Sequence, residues 1–533
     1  MKTTSRYRII ALVSLPLMFI GCTKVLDQVP NDRIDVENYY TSRSDAEASL
    51  IGAYDFVFRN LVPTFVVNDM LSGREIQQIG NIQGRPTQYR PVLRLNNDGG
   101  TGTLWNQCYQ ALSRVNLMLE RIPAMSDGLF AQQGVPTTVN RKNEILGEAL
   151  FLRAWIYWQM ALNWGDVPLI VNFPTSAQPG DNLVSRAPVS DVLKQVDADL
   201  TQAVSFLPND YRFLTPNMTA AAIRIASKGR ATKGMALLMQ ARRALQDKQW
   251  QIAADKANEI INLGVFSLNT TFTPIFNNVP AGGQNTVESI LETQSVRDGF
   301  VNTGGIFTWE FYTNGRTEVT PQWNSNYQGS YLDPFDVRQV FSSNVSYNTN
   351  NSLRGITQFK YYNRDNAYAS ADPWNYVLGR LSEAFLVRAE ALNEIGFPNP
   401  EAITRINALR ARARETTYTV TIRRQGLSDT TVFAKGIPAI SLTAGQPNTI
   451  FVANQTELRN LIRDERWREL AFEGLRWFDL RRWNEPTGKY SALVATYLDN
   501  PAIDGAVPGK LLWPIPDAQI RINPQLTQNP GYN

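Results

Sequence analysis

The sequence predicts a mainly α protein, a tetratricopeptide-like solenoid of about four helix pairs with long irregular insertions and short strands. Three observations carry that expectation. A heptapeptide, EALFLRA at 148–154, recurs as EAFLVRA at 383–389, with a weaker copy, MALLMQA, at 235–241. Segments with apolar residues at helical spacing come in twos along the chain. The stretches 61–103, 264–376 and 416–452 are rich in Gly, Asn, Thr and aromatic residues, the composition of loops and short strands. A helix pair cannot bury its apolar face alone, so the pairs must stack.

The first 21 residues stand apart. Lys2, Arg6 and Arg8 precede IIALVSLPLMFI, an apolar run at 9–20 that is too short to span a bilayer as a helix. Gly21 and Cys22 follow at once. A small residue before a cysteine at that place resembles a lipobox, although Phe19 stands where lipoboxes usually carry Leu. The expectation is a signal peptide over 1–21, acylation of Cys22 and a polar, lipid-anchored tether over 22–43. A single domain over 44–533 holds the rest.

The helix pairs follow in order. Residues 44–60, with Ser44 as N-cap, pair with 104–122; 141–163 pair with 189–207; 219–246 with 250–263; 378–395 with 400–414. Gly147, Ala154 and Ala161 recur every seven residues and let a second helix approach closely. Ile145, Ala149, Leu152 and Ile156 form the apolar stripe. Arg153 and Arg388, repeated in the heptapeptide, cannot be apolar core and are expected to satisfy carboxylates or carbonyls on neighbouring helices. Cys108 reads as a small buried hydrophobe. TVTIRRQG at 419–426 and TTVFAKG at 430–436 read as a hairpin.

Composition excludes several kinds of chemistry. The chain has no histidine, so the commonest general base and the commonest zinc ligand are missing together. Cysteine occurs only at 22 and 108, too few for a disulfide framework. There are 52 Lys and Arg against 48 Asp and Glu; without Lys2, Arg6 and Arg8 the balance is 49 against 48. A nearly neutral mature chain does not suit nucleic-acid binding. The sequence shows no nucleophile elbow, P-loop, dinucleotide fingerprint or cysteine cluster. No catalytic residue, metal or cofactor is expected.

The most charged stretch is 457–484. Read as one helix, it puts Glu465, Glu469 and Glu473 on one face, and paired carboxylates can do acid–base work at a glycosidic bond. Arg466, Arg468, Arg476, Arg481 and Arg482 are interleaved with them, and Asp464–Arg468 and Arg476–Asp479 have pair-forming spacings. Arginines lower carboxylate pKa values, so a structural network is the better reading. Aromatic residues make up 11% of the chain. Many lie in GIFTWEFYTNG at 305–315 and TPQWNSNYQGSY at 320–331, among Asn, Gln, Thr and Gly. Rings stack on the C–H faces of sugars, for about 1–2 kcal/mol each, while amides bond the hydroxyls. The candidate ligand-binding residues are Trp309, Trp323 and Tyr327, with Tyr89 from the first insertion; Tyr327 follows Trp323 by four residues, one helical turn. The alternative is that these rings fill the space between loops and helices.

Six motifs lie in order along the chain: CTKVLDQVP at 22–30, LWNQCYQALSRVN at 104–116, GEALFLRAWIYWQMALNWGDVPLI at 147–170, LSEAFLVRAEALNEIG at 381–396, RDERWRELAFEGLRWFDLRRW at 463–483 and LLWPIPDAQIRINPQLTQNPGY at 511–532. Together they resemble the SusD/RagB family of surface lipoproteins in Bacteroidetes nutrient uptake. The resemblance implies a non-enzymatic glycan-binding subunit, anchored by its lipid in the outer membrane. Such a subunit captures oligosaccharide and delivers it to a SusC-like TonB-dependent transporter. The helix pairs would dock on the transporter and the insertions would form the ligand face. Residues 61–103 contain no tryptophan and offer Tyr89, Arg74 and Arg90, so a starch site does not carry over. A peptide-binding RagB-like subunit, an all-α glycoside hydrolase and a purely structural surface protein are the competing classes.

Overall fold

The computed structural model describes residues 39–72, 76–78, 99–173, 183–276, 284–294, 297–298, 301–302, 317–319, 336, 338, 343–347, 353–358, 360, 375–415, 437–483 and 512–532. The hairpin expected at 419–436 lies outside them.

Helix α1 (Arg43–Phe56) is capped by Ser42 and not by Ser44. The Ser42 hydroxyl accepts from the Asp45 amide, and the Asp45 carboxylate accepts from the Ser42 amide at 2.7 Å. This reciprocal box satisfies two orphan donors at once. Ser44 is also followed three residues on by an acid, but that acid, Glu47, is bound to Arg141. The chain does not leave the helix at residue 60. It passes through one π-helical turn (Val57–Leu61) into α2 (Val62–Ser72), twelve residues beyond the expected end. The wide turn stands directly before Pro63, whose missing N–H and bulky ring break an ordinary α-helix.

Four pairs then stack. α1 lies on α3 (Gly99–Arg121), α4 (Arg141–Trp164) on α5 (Val189–Phe206), α7 (Lys233–Gln246) on α8 (Trp250–Asn262), and α9 (Leu381–Ile395) on α10 (Pro400–Glu415). Pair joins pair through α3–α4, α5–α7 and α8–α9. The expected helix at 219–246 is two helices, α6 (Ala220–Gly229) and α7. The break is fastened by buried hydrogen bonds: the Ala231 amide donates to the Tyr54 hydroxyl at 2.9 Å, and the Tyr211 hydroxyl donates to the Ala231 carbonyl at 2.7 Å. Likewise 378–380 are not helical. They belong to strand β8 (Val377–Arg380), which pairs antiparallel with β2 (Ser289–Glu292) and leads straight into α9.

The heptapeptide does the packing expected of it. Gly147 sits so close to α5 that a Cβ there would come within 2.9 Å of the Phe206 Cβ. Ala154 is completely buried. Arg153 donates from Nε and Nη2 to the two oxygens of Asp199 on α5, each at 2.8 Å, and from Nη1 to the Val171 carbonyl. Arg388 repeats the arrangement one pair later, gripping both oxygens of Glu401 on α10 at 2.8 and 3.0 Å and the Ala254 carbonyl on α8. The glutamates that open the two copies are buried acceptors: Glu148 for Arg141 and Arg230, Glu383 for Arg242 and Arg466. Each copy thus joins its helix to its pair partner through the arginine and to other elements through the glutamate.

The main apolar core runs from Ala46 to Leu526, and a smaller one, including Ala244, Ala254 and Ala391, fills the seam between α7, α8 and α9. The centre of the main core is aromatic: Trp164 lies edge-on to Trp105 and Trp513, and Phe65 stacks on Trp513. Residues 512–532 close over α4, with the Trp513 amide donating to the Asn163 carbonyl at 2.7 Å and Trp164 Nε1 to the Pro514 carbonyl at 3.1 Å. Cys108 is buried in this core, where burial pushes its thiol pKa far up, as its hydrophobic role requires.

Candidate functional site

The insertions leave the helical layer at known places and meet. Strand β1 (Ile76–Gln78), in the 61–103 insertion, pairs antiparallel with β5 (Thr317–Val319), in the 264–376 insertion, with Ile76 opposite Val319. β5 also lies against β7 (Leu353–Gln358), which pairs with β6 (Ser343–Tyr347). Two short hairpin strands, β3 (Arg297–Asp298) and β4 (Val301–Asn302), precede β5. Tyr89, Trp309, Trp323 and Tyr327 lie outside the described residues, as does Cys22. In sequence, Tyr89 follows β1, and Trp309 and Trp323 bracket β5.

What holds the second insertion down is a buried charge network, whose carboxylates in 457–484 the sequence marks but whose partners Arg338, Lys360 and Arg380 it does not. Helix α11 (Gln455–Leu470) packs on α9 and turns Glu465 and Glu469 inward, both fully buried. From the insertion, Arg338 Nη1 reaches Glu465 at 2.6 Å and Glu469 at 3.0 Å, while its own Asp336 holds the other side of the guanidinium. Lys360 donates to Glu473 at 2.6 Å and to the carbonyls of Glu469 and Ala471, each at 2.9 Å. Arg380, at the end of β8, bridges Glu288, Glu469 and Glu473. From α10, Arg410 reaches Glu465 at 2.7 Å, and Arg412 bonds both Glu288 and Glu469. Among the described residues, Arg338, Lys360, Arg380, Arg410 and Arg412 thus face Asp336, Glu288, Glu465, Glu469 and Glu473, with Arg468 a further 3.9 Å from Glu465.

The electrostatics follow from that arrangement. Burial alone would push the Glu469 carboxyl up, but Arg412, Arg380 and Arg338 outweigh it and hold the group well below the usual carboxylate range. Glu465 is lowered in the same way, against its burial, by Arg338 and Arg410. Burial brings the Lys360 ammonium down to about 8, with Glu473 opposing the shift. Ionised carboxylates locked onto guanidiniums neither donate nor relay protons at neutral pH. The structural-network reading of 457–484 therefore holds, but its geometry differs from a single helix. The chain turns between α11 and α12 (Arg476–Trp483), with Phe472 and Gly474 at positive φ, and Glu473 reaches the network from that turn. At Gly474 an added Cβ would also come within 3.1 Å of Val66.

The expected Arg476–Asp479 pair is replaced by others. Asp479 is taken by Arg466 at 2.7 Å and Arg482 at 2.9 Å, while Arg476 lies over the Trp467 ring at 4.2 Å. Arg482 also binds Glu390 on α9 bidentately at 2.6 and 2.8 Å. The first insertion is tied in as well, since the Trp477 amide of α12 donates to Asp69 of α2 at 3.1 Å. Among the described residues no group of His, Cys, Asp and Glu could hold a metal ion, and no helix is long and apolar enough to cross a membrane.

Similarity to known proteins extends over nearly the whole chain. Residues 292–532 match the SusD family, and residues 46–228 match a family described as starch-binding associating with outer membrane. SusD-like protein P2 of Formosa agariphila is 26% identical, over 99% of this chain and all of its own length. Among solved structures, a SusD homolog from Bacteroides thetaiotaomicron superposes with a TM-score of 0.68 at 20% identity, covering 94% of this chain and 99% of that one. Surface glycan-binding protein A from Bacteroides fluxus superposes with a TM-score of 0.67 at 19% identity, covering 92% and 100%. Family-model matches over 46–228 and 292–532 and end-to-end likeness to SusD-like relatives agree with the stacked helix pairs: the chain belongs to the SusD/RagB family.

Proposed function

We propose that this protein is a non-enzymatic glycan-binding lipoprotein of the outer-membrane surface. It is anchored through acylated Cys22, captures oligosaccharide on its insertions, and delivers it to a SusC-like TonB-dependent transporter docked on the helix pairs. The observation that carries the reading is the pairing of Ile76–Gln78 with Thr317–Val319, which brings together the two insertions rich in aromatic and amide residues. Trp309, Trp323, Tyr327 and Tyr89 are the rings proposed to stack on sugar faces. The surface glycan-binding relative and the starch-binding family description support the ligand class. The ion-paired state of Glu465 and Glu469 supports binding over hydrolysis. Two experiments test the proposal. A panel of polysaccharides is screened for binding and turnover, and a tagged chain is purified from membranes to see whether a TonB-dependent transporter comes with it. Saturable binding without turnover, with the transporter recovered, is expected; turnover, or a chain recovered alone and binding nothing, overturns it.

A further inference from the structure

Exposed apolar side chains gather where the chain enters the fold. Leu129 on the 127–130 turn, Phe213 on the loop after α5 and Ile225 on α6 are 43%, 42% and 50% exposed. Arg43, in the first turn of α1, ties these segments together. Its Nη1 donates to the Gln132 side chain at 2.8 Å and its Nη2 to the Leu214 carbonyl at 2.9 Å. A Cβ at Gly134 would come within 3.3 Å of Pro216, so the two loops also touch each other. The Tyr211 amide donates to the Ser227 hydroxyl at 2.9 Å, and Phe213 and Ile225 each stand two residues from that bond. Of α6, only Ser227 and Lys228 are buried, while Ala220, Ala221, Arg224 and Ile225 are exposed. Grouped apolar exposure of this kind marks a surface that something covers.

Two observations say what covers it. The first is where the chain comes from. Tyr39, the first described residue, follows Cys22 by 17 positions, and Arg43 comes four later. Seventeen residues span at most about 60 Å, so a lipid on Cys22 keeps this end of the fold close to the membrane. The second is charge. No acidic residue occurs from Tyr211 to Gln246. Arg224 is exposed and makes no ion pair among the described residues. Asp127 and Asp210, beside the patch in sequence, are neutralised by Lys142 and Arg212. Apolar side chains next to an uncommitted cation suit the boundary between phosphate headgroups and acyl chains.

From this we infer that the surface carrying Leu129, Phe213 and Ile225 lies on the outer leaflet of the membrane, with these side chains at the acyl boundary and Arg224 donating to lipid phosphate. The inference rests on the acylation of Cys22 proposed above and adds a second, non-covalent contact that fixes how the protein sits.

The test uses the lipidated full chain on vesicles of phosphatidylethanolamine and lipid A. Phe213→Cys, Ile225→Cys and Phe451→Cys variants each carry an environment-sensitive fluorophore; Cys108 is buried, and an acylated Cys22 has no free thiol. Phe451 is equally exposed, at 45%, but lies on a strand paired beside α10. Labels at 213 and 225 should shift to the blue and be quenched by nitroxide-bearing acyl chains, and the label at 451 should do neither. Arg224→Gln should lower the ratio of lipid-seated to free label at 213 about fivefold, the worth of one cation at a phosphate surface. A chain that does not float with the vesicles sinks the acylation reading and the inference with it. A chain that floats while the labels at 213 and 225 stay in water overturns the inference alone. A blue shift that grows with protein concentration in the absence of lipid means a second copy covers the patch, and also overturns it.

Discussion

Arg338 Nη1 meets Glu465 Oε1 at 2.6 Å across 127 residues of chain, and neither side chain touches solvent. The pair fixes the 264–376 insertion to α11. A buried ion pair adds little over a well-packed apolar one, but removing one partner strands the other charge. Arg338→Met leaves Glu465 and Glu469 each short of a cation. Chemical denaturation should show a loss of about 3–5 kcal/mol. A loss below about 1 kcal/mol would mean that the network does not anchor the insertion.

Ala154 is fully buried in the middle of the first heptapeptide. Ala154→Trp should overpack that seam and cost roughly 1–3 kcal/mol or more. The repeats at 148 and 383 bracket the 264–376 insertion and are proposed to stack in one domain, so limited proteolysis of the wild type should not release two folded halves. Two such fragments, or an Ala154→Trp variant as stable as wild type, would count against that arrangement.

Acid should unfold the protein through specific carboxylates. Burial favours the neutral form of Glu390, but Arg482 and Trp483 overcome it and lower the pKa from 4.5 to about 2. Glu47 is lowered to about 2 as well, against its burial, by Arg141 and Arg230. The folded pKa lies below the unfolded one, so between these values the unfolded chain binds more protons. The stabilisation is present above about pH 4.5 and is lost as pH falls toward 2. For Glu390 it is on the order of 3 kcal/mol. Glu390→Gln should lower stability at pH 7 and flatten its decline between pH 4.5 and 2; an unchanged slope would assign the acid sensitivity elsewhere.

The legible part of this fold was the part written in periodicity. The heptapeptide, its small-residue seam and the interhelical duty of Arg153 and Arg388 follow from helical spacing and from the unfitness of a guanidinium for an apolar face. Boundaries were harder where tertiary bonds override local pattern. The break at Ala231 depends on Tyr54, 177 residues away. The N-cap was misplaced because two overlapping boxes compete, and Arg141 decides the matter by claiming Glu47. Glu465 and Glu469 were visible as a pair, whereas their partners Arg338 and Arg380 come from distant segments with no local signal.

Cys22 carries the proposed membrane attachment. Cys22→Ala should leave an unprocessed or soluble protein that takes up no radiolabelled fatty acid. A wild-type chain that also takes up none would contradict the lipoprotein proposal.

The most direct test of the whole account is calorimetric titration of the mature chain with a panel of polysaccharides, alongside the Trp309→Ala/Trp323→Ala variant. The account predicts saturable binding by wild type, and a variant that melts like wild type but loses most of that binding, since each stacked face contributes about 1–2 kcal/mol. A wild-type chain that binds no glycan, or a normally folded variant that binds as tightly as wild type, would contradict it.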